Sequence, residues 1–218
     1  MVSARDGLLL RREHDGSLVT YGDLKTASDP PAVNELVVDS RGNAYVNGGG
    51  SNMMAGEEFS PGVIALVAPD GSARQVAGGL AFPNGMLVLP GGSTLIVAES
   101  YAKRLTAFDI DADGGLSNRR VWADLGDGVP DSLCADDQNA VWYADVPNKR
   151  CVRVREGGQV LATIDLDRGC FACALGGATG TTLFMLAQEW SGPQNMFKGP
   201  RSGLVLTTEA PAPRAGWP

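Results

Sequence analysis

One pattern recurs four times along the chain: a small or polar residue, an apolar strand, a turn, and a second apolar strand. It covers residues 33–39 with 43–46, 83–88 with 94–98, 130–134 with 140–144, and 170–175 with 182–185. Asn84 stands 50 residues after Asn34, and Asp131 stands 47 after Asn84. A period of that length means that one supersecondary unit is repeated and stacked on its neighbours. Between these hairpins lie others of a second type, with apolar strands turning at Asp70-Gly71, Asp113-Gly114 and Gly157-Gly158. Glycine supplies the positive φ that a tight hairpin demands. The N-terminal region adds one more hairpin, Leu8-Leu9-Leu10 and Leu18-Val19-Thr20-Tyr21 about Asp15-Gly16.

Two hairpins per repeat make a four-stranded sheet, and sheets repeated about an axis make a β-propeller. The expectation is therefore an all-β fold, one β-propeller domain over residues 1–218. No stretch sustains the 3.6-residue apolar period of a long helix, and 29 Gly with 13 Pro set turns at short intervals. Continuous apolar runs such as Leu95-Ile96-Val97-Ala98 fit strands covered on both faces. The hairpins amount to about four and a half to five blades. A six-bladed ring at about 45 residues per blade would need some 50–60 more. The shortfall falls at the N-terminal side, where the first hairpin has no inner partner, so the propeller is expected to be incomplete and to lack its N-terminal blade region. A further reading takes Met1 as an internal position of a longer product.

Charge and composition exclude several functions. Eighteen basic against 25 acidic residues give a net charge of −7, and the arginines form no patch, so nucleic acid is not an expected partner. No apolar run approaches the roughly 20 residues of a membrane-spanning helix, and the first residues do not resemble a signal peptide. A cytoplasmic protein without a membrane partner is expected. Cys134, Cys151, Cys170 and Cys173 include one C-x-x-C, but the sole histidine, His14, is far from it. A zinc site normally shows a second close pair, and a redox C-x-x-C normally starts a helix, whereas 170–175 reads as a strand. Buried reduced thiols are expected. His14 precedes a peripheral turn, so Ser-His-Asp catalysis has no support. Gly48-Gly49-Gly50 lacks the later Gly, Lys and helix of a phosphate loop and reads as a flexible loop at the funnel mouth.

Asn34, Asn84 and Asp131 occupy one point in three successive blades, where the loops leading into the innermost strands converge on the axis. On the pattern alone two readings stay open. Three oxygen-bearing side chains suit a hard divalent cation, and Asn and Asp also favour turns before strands for local reasons.

The segments 33–42, 80–85, 96–100, 116–120 and 129–132, at these separations, resemble the family of gluconolactonases and senescence marker protein 30, with the related calcium-dependent hydrolases. The resemblance runs from about Arg5 to the C-terminus. It implies a six-bladed propeller with one divalent cation on the axis, Ca²⁺ first, with Mg²⁺, Mn²⁺ or Zn²⁺ as alternatives. By that resemblance Asn84 and Asp131 match metal ligands, and Asn34 matches an Asn that binds metal or contacts substrate, depending on the member. It implies metal-assisted hydrolysis of a small-molecule lactone or ester, with Asp131 as the candidate general base. Three departures stand out. The family's first ligand, a Glu in a Glu-Gly-Pro-like segment, has no counterpart in this chain. Ala32 stands where sugar-lactone members carry an Arg, and Ser132 stands where a Gly is usual. Glu99 or Glu189 could replace the missing ligand only by reaching the axis, so weak cation binding and impaired activity are expected. The alternative is a non-catalytic propeller remnant serving as a binding or assembly module, with self-association through the open propeller edge.

Overall fold

The computed structural model describes residues 2–3, 6–50, 57–195, 198 and 200–216. Its strands form five sheets, each assembled from strands consecutive in the chain. The first holds β1 (Val2–Ser3), β2 (Leu8–Arg12) and β3 (Leu18–Asp23). The second holds β4 (Leu36–Val38), β5 (Ala44–Gly48), β6 (Gly62–Val67) and β7 (Ala73–Leu80). The third holds β8 (Pro83–Val88), β9 (Thr94–Glu99), β10 (Arg104–Ile110) and β11 (Leu116–Asp124). The fourth holds β12 (Pro130–Ala135), β13 (Val141–Asp145), β14 (Arg150–Val154) and β15 (Val160–Asp165), and the fifth β16 (Gly169–Gly176), β17 (Thr182–Gln188) and β18 (Leu204–Glu209). All pairings are antiparallel. This is a β-propeller of three four-stranded and two three-stranded blades. The N-terminal hairpin carries one strand more than its sequence suggests, because Val2-Ser3 pairs with Leu8-Leu9.

The apolar runs are continuous because neighbouring blades cover both faces of their strands. In β9, Leu95 and Val97 enter the core between the second and third blades, while Ile96 and Ala98 enter the core between the third and fourth. In β13, Val141 and Tyr143 face the third blade, whereas Trp142 and Ala144 pack with β16 and β17 residues of the fifth. Period-two alternation is thus present, with both phases apolar. The innermost strands β4, β8, β12 and β16 neighbour one another in that order around the axis.

The turns obey glycine's geometry where the strands reverse: Gly16, Gly71 and Gly114 have φ between +80° and +85°. The triple glycine differs from expectation. Gly48 is the last residue of β5, and a Cβ there would stand 2.6 Å from the Val33 backbone nitrogen. It is a close-packing position beside the segment that carries Asn34, not part of a free loop. On the face opposite that segment, residues 213–215 cross the end of the axis. Asp137 N–H donates to the Pro213 carbonyl, Arg214 N–H to Gly180 and Ala215 N–H to Ala135. No helix among the described residues is long and apolar enough to cross a membrane.

Candidate functional site

Each of β8 and β12 begins with a buried proline followed by a break in register. Two residues, Asn84-Gly85 and Asp131-Ser132, stand where the partner strand contributes one. Such a bulge interrupts the pleat and re-aims a side chain, which is how Asn84 and Asp131 face the axis rather than a blade interface. Gly85 permits the approach of the two blades: a Cβ there would lie 2.6 Å from the Asp131 carbonyl oxygen and 2.7 Å from the Leu133 nitrogen.

A relay of polar contacts joins the three sequence-predicted positions. Asn34 Nδ2 donates to the Pro83 carbonyl at 3.1 Å and reaches Asn84 Oδ1 at 3.5 Å. Asn84 Nδ2 contacts Ser100 Oγ at 3.4 Å, and the Ser100 hydroxyl donates to the Pro130 carbonyl at 2.7 Å, one residue before Asp131. Asn34 and Asn84 are therefore in direct contact, and Asp131 is tied to them through the backbone of its own strand. Asn47, fully buried, braces the group. Its Nδ2 donates to the Asn84 carbonyl, its Oδ1 accepts from Glu35 N–H, and its own carbonyl accepts from Asn34 N–H.

The electrostatics of the pocket are acidic. Burial, reinforced by the negative charge of Glu35, pushes Asp131 up to about 7, and burial raises Glu35 as well. Neither carboxylate has a side-chain hydrogen bond or ion pair with a described residue. Carboxylate and amide oxygens are the donor type that a hard cation takes. No group of three or more His, Cys, Asp and Glu side chains is arranged to hold a metal among the described residues, so any such site depends on the asparagines.

Glu35, Asn47 and Ser100 escape the sequence reading. Asn47 left a signal, a lone amide within the apolar run 44–48, and Ser100 sits in the matching segment 96–100. Glu35 lies just before β4, where no strand alternation fixes its direction, so spacing could not place it. The two acidic residues considered as substitutes for the missing ligand lie elsewhere. Glu99 is fully buried and committed to Arg104 at 2.9 Å, Arg119 at 3.0 Å, the Thr106 hydroxyl and Ala81 N–H. By holding Ala81 it fixes the approach to Pro83-Asn84. Glu189 is exposed on the segment after β17. His14 is exposed too.

Comparison with known proteins places the fold. Residues 1–189 match the family model described as SMP-30/Gluconolactonase/LRE-like region. Regucalcin of Danio rerio is 33% identical over 92 residues, which span 40% of this chain and 31% of that protein. The chain thus matches about a third of the length of that curated relative. A luciferin-regenerating enzyme structure superposes with a TM-score of 0.80 at 16% identity, covering 96% of this chain and 73% of the other. A calcium-binding regucalcin from Agrobacterium tumefaciens gives 0.76 at 21% identity, covering 97% and 72%. At these identities the structures speak to the fold, a propeller, and the family match speaks to descent. With its blades and residues 1–189 accounted for in this way, the chain belongs to the SMP-30/gluconolactonase/LRE-like family.

Proposed function

We propose that the chain binds one divalent cation, Ca²⁺ foremost, through Asn34, Asn84 and Asp131 with Glu35 beside them, and hydrolyses a lactone or ester at that site. The observation that carries the reading is the half-buried acidic pair, Asp131 and Glu35, whose charges act on each other near the linked amides of Asn34 and Asn84, with no cationic side chain among the described residues bonded to either carboxylate. Like charges held partly out of water are costly when uncompensated, and a cation would supply the opposite charge. When bound, the cation would supply Lewis acidity toward the substrate carbonyl and counter-charge to the pocket.

The chain's own residues carry the rest. Asn34 and Asn84, fixed by Pro83, Ser100 and Asn47, orient the substrate's polar end. Asp131 takes a proton from a water whose oxygen attacks the acyl carbon. The acyl C–O bond then breaks, and the same proton passes to the departing alkoxide, giving a hydroxy acid from a lactone. Beside a bound cation the Asp131 carboxylate would stay ionised, the form that can accept that proton. The test is calorimetric titration of Ca²⁺ into the chain, paired with a pH-stat assay on a simple δ-lactone with and without chelator. Stoichiometric binding that is lost in Asn84→Ala and Asp131→Ala, with hydrolysis following it, is the expected result. Binding that survives both substitutions, or no heat of binding, overturns the reading.

A further inference from the structure

All four cysteines are free thiols, and they gather where the fourth blade meets the fifth. Cys134 sits on β12 and Cys173 on β16, the innermost strands of consecutive blades. Their sulfurs stand 3.9 Å apart. Cys173 Sγ also contacts the Ser132 and Trp142 carbonyls at 3.7 and 3.6 Å, which keeps it turned toward the fourth blade. Both residues line an axial cavity of about 530 Å³, bounded by the four inner strands and by residues 214–216. Cys134 is half-buried, whereas Cys173 is 4% exposed. Cys151 and Cys170 are buried deeper in the interface and do not line that cavity.

We infer that Cys134 and Cys173 form an inter-blade dithiol that hydrogen peroxide converts to a disulfide, stapling β12 to β16. Cys134, the more exposed, attacks first: an S–O bond forms, the peroxide O–O bond breaks, and hydroxide leaves as water, giving a sulfenic acid. The Cys173 sulfur then attacks that sulfur, an S–S bond forms, the S–O bond breaks, and a second water departs. Two thiols and one peroxide yield one disulfide and two waters. The sulfurs must close from 3.9 Å to about 2.05 Å. The hydrogen bond to Cys173 and then burial raise the Cys134 thiol well above the ordinary range, and Cys173, though lowered by its bond with Cys134, is raised by Cys151 and by burial; the thiolate is the attacking form, so the reaction is slow. A small neutral oxidant suits the cavity better than a bulky disulfide.

The experiment exposes the folded chain to hydrogen peroxide for hours, caps remaining thiols under denaturing conditions, and maps linked peptides by mass spectrometry. The expected result is loss of two of the four thiols, a Cys134–Cys173 peptide that dithiothreitol releases, and a rise of several degrees in Tm. Cys173→Ser should stop at a Cys134 sulfenic acid that dimedone traps, and Cys134→Ser should keep its three thiols. The mapping on the unsubstituted chain stands even if a variant misfolds. A linkage joining Cys151 to Cys170 or Cys173 overturns the inference. So does the absence of any linkage in the folded chain while the urea-unfolded chain oxidises under the same conditions.

Discussion

Gly85→Ala tests whether the site depends on how closely two blades approach. Glycine is not required there by its own backbone, since Gly85 is absent from the positive-φ residues. The neighbouring blade requires it. A methyl group would stand 2.6 Å from the Asp131 carbonyl oxygen, 2.7 Å from the Ser132 Cα and 2.7 Å from the Leu133 nitrogen, where ordinary contact begins at 3.4 Å. All three atoms are backbone, so no side chain can swing aside. Relief demands that β8 and β12 part by about 0.7–0.8 Å, or that the strain remain. Overpacking of this kind costs roughly 1–3 kcal/mol. At about 2–4 °C per kcal/mol for a domain of this size, Tm should fall by roughly 2–12 °C. The same displacement moves Asp131 relative to Asn84, so Ca²⁺ affinity should fall as well. Thermal unfolding followed by circular dichroism and Ca²⁺ titration would read the two effects. Gly203→Ala, with nothing within 4 Å of its Cβ, serves as the matched control. If Gly85→Ala melts within 1 °C of the parent and binds Ca²⁺ equally well, the two blades are not held at the distance on which the site has been built.

Glu99→Gln leaves Arg104 and Arg119 without their shared carboxylate. Because both arginines are a third exposed, we expect about 2–3 kcal/mol, below the roughly 3–5 of a fully buried pair. Hydrogen bonds and the arginines outweigh burial and hold Glu99 below its ordinary range. Its contribution is therefore complete above about pH 4.3 and lost as pH falls through its folded value. The stability gap between parent and variant, measured by urea unfolding, should close in acid; a gap that widens there would contradict the assignment. Asn47→Leu strands Glu35 N–H and the Asn84 carbonyl at about 1–3 kcal/mol and should weaken Ca²⁺ binding in the same titration, whereas unchanged affinity would detach Asn47 from the site. His14→Ala should leave lactone hydrolysis unchanged in the pH-stat assay, and a tenfold loss would reinstate histidine chemistry.

The blades were readable because their signals are local. An Asp-Gly or Gly-Gly turn between β-branched runs is decided within a dozen residues, and β8, β9, β12 and β13 begin and end within one residue of their sequence limits. Phase information was weaker where both faces are buried, since Leu95-Ile96-Val97-Ala98 does not say which residues meet which neighbour. Asn34 and Asn84 could be brought together from spacing alone, because equivalent positions in adjacent blades must be neighbours. Glu35 could not, because it lies in an irregular segment and the carboxylate its charge acts on, Asp131, is nearly a hundred residues away. The cysteine cluster was equally hidden. The C-x-x-C invited a comparison of Cys170 with Cys173, while the close pair joins β12 to β16 across a blade boundary. The Glu99 network likewise depends on Arg119, which arrives from the outer strand of the same blade.

The segment crossing the end of the axis bears on the order in which the molecule assembles. Each blade closes on itself from consecutive strands, so its contacts cost little loop entropy, and it can condense as soon as its own stretch has been synthesised. The bridge between Asp136 and Arg214 and the bond from Ala215 to Ala135 span nearly eighty residues. They can form only after the fifth blade has been laid down. Docking of residues 213–215 is thus a late event that ties an already formed fourth blade to the fifth. In the mature protein the amide protons of Arg214 and Ala215 report on that latch, and they should exchange with solvent before those of β9 and β13.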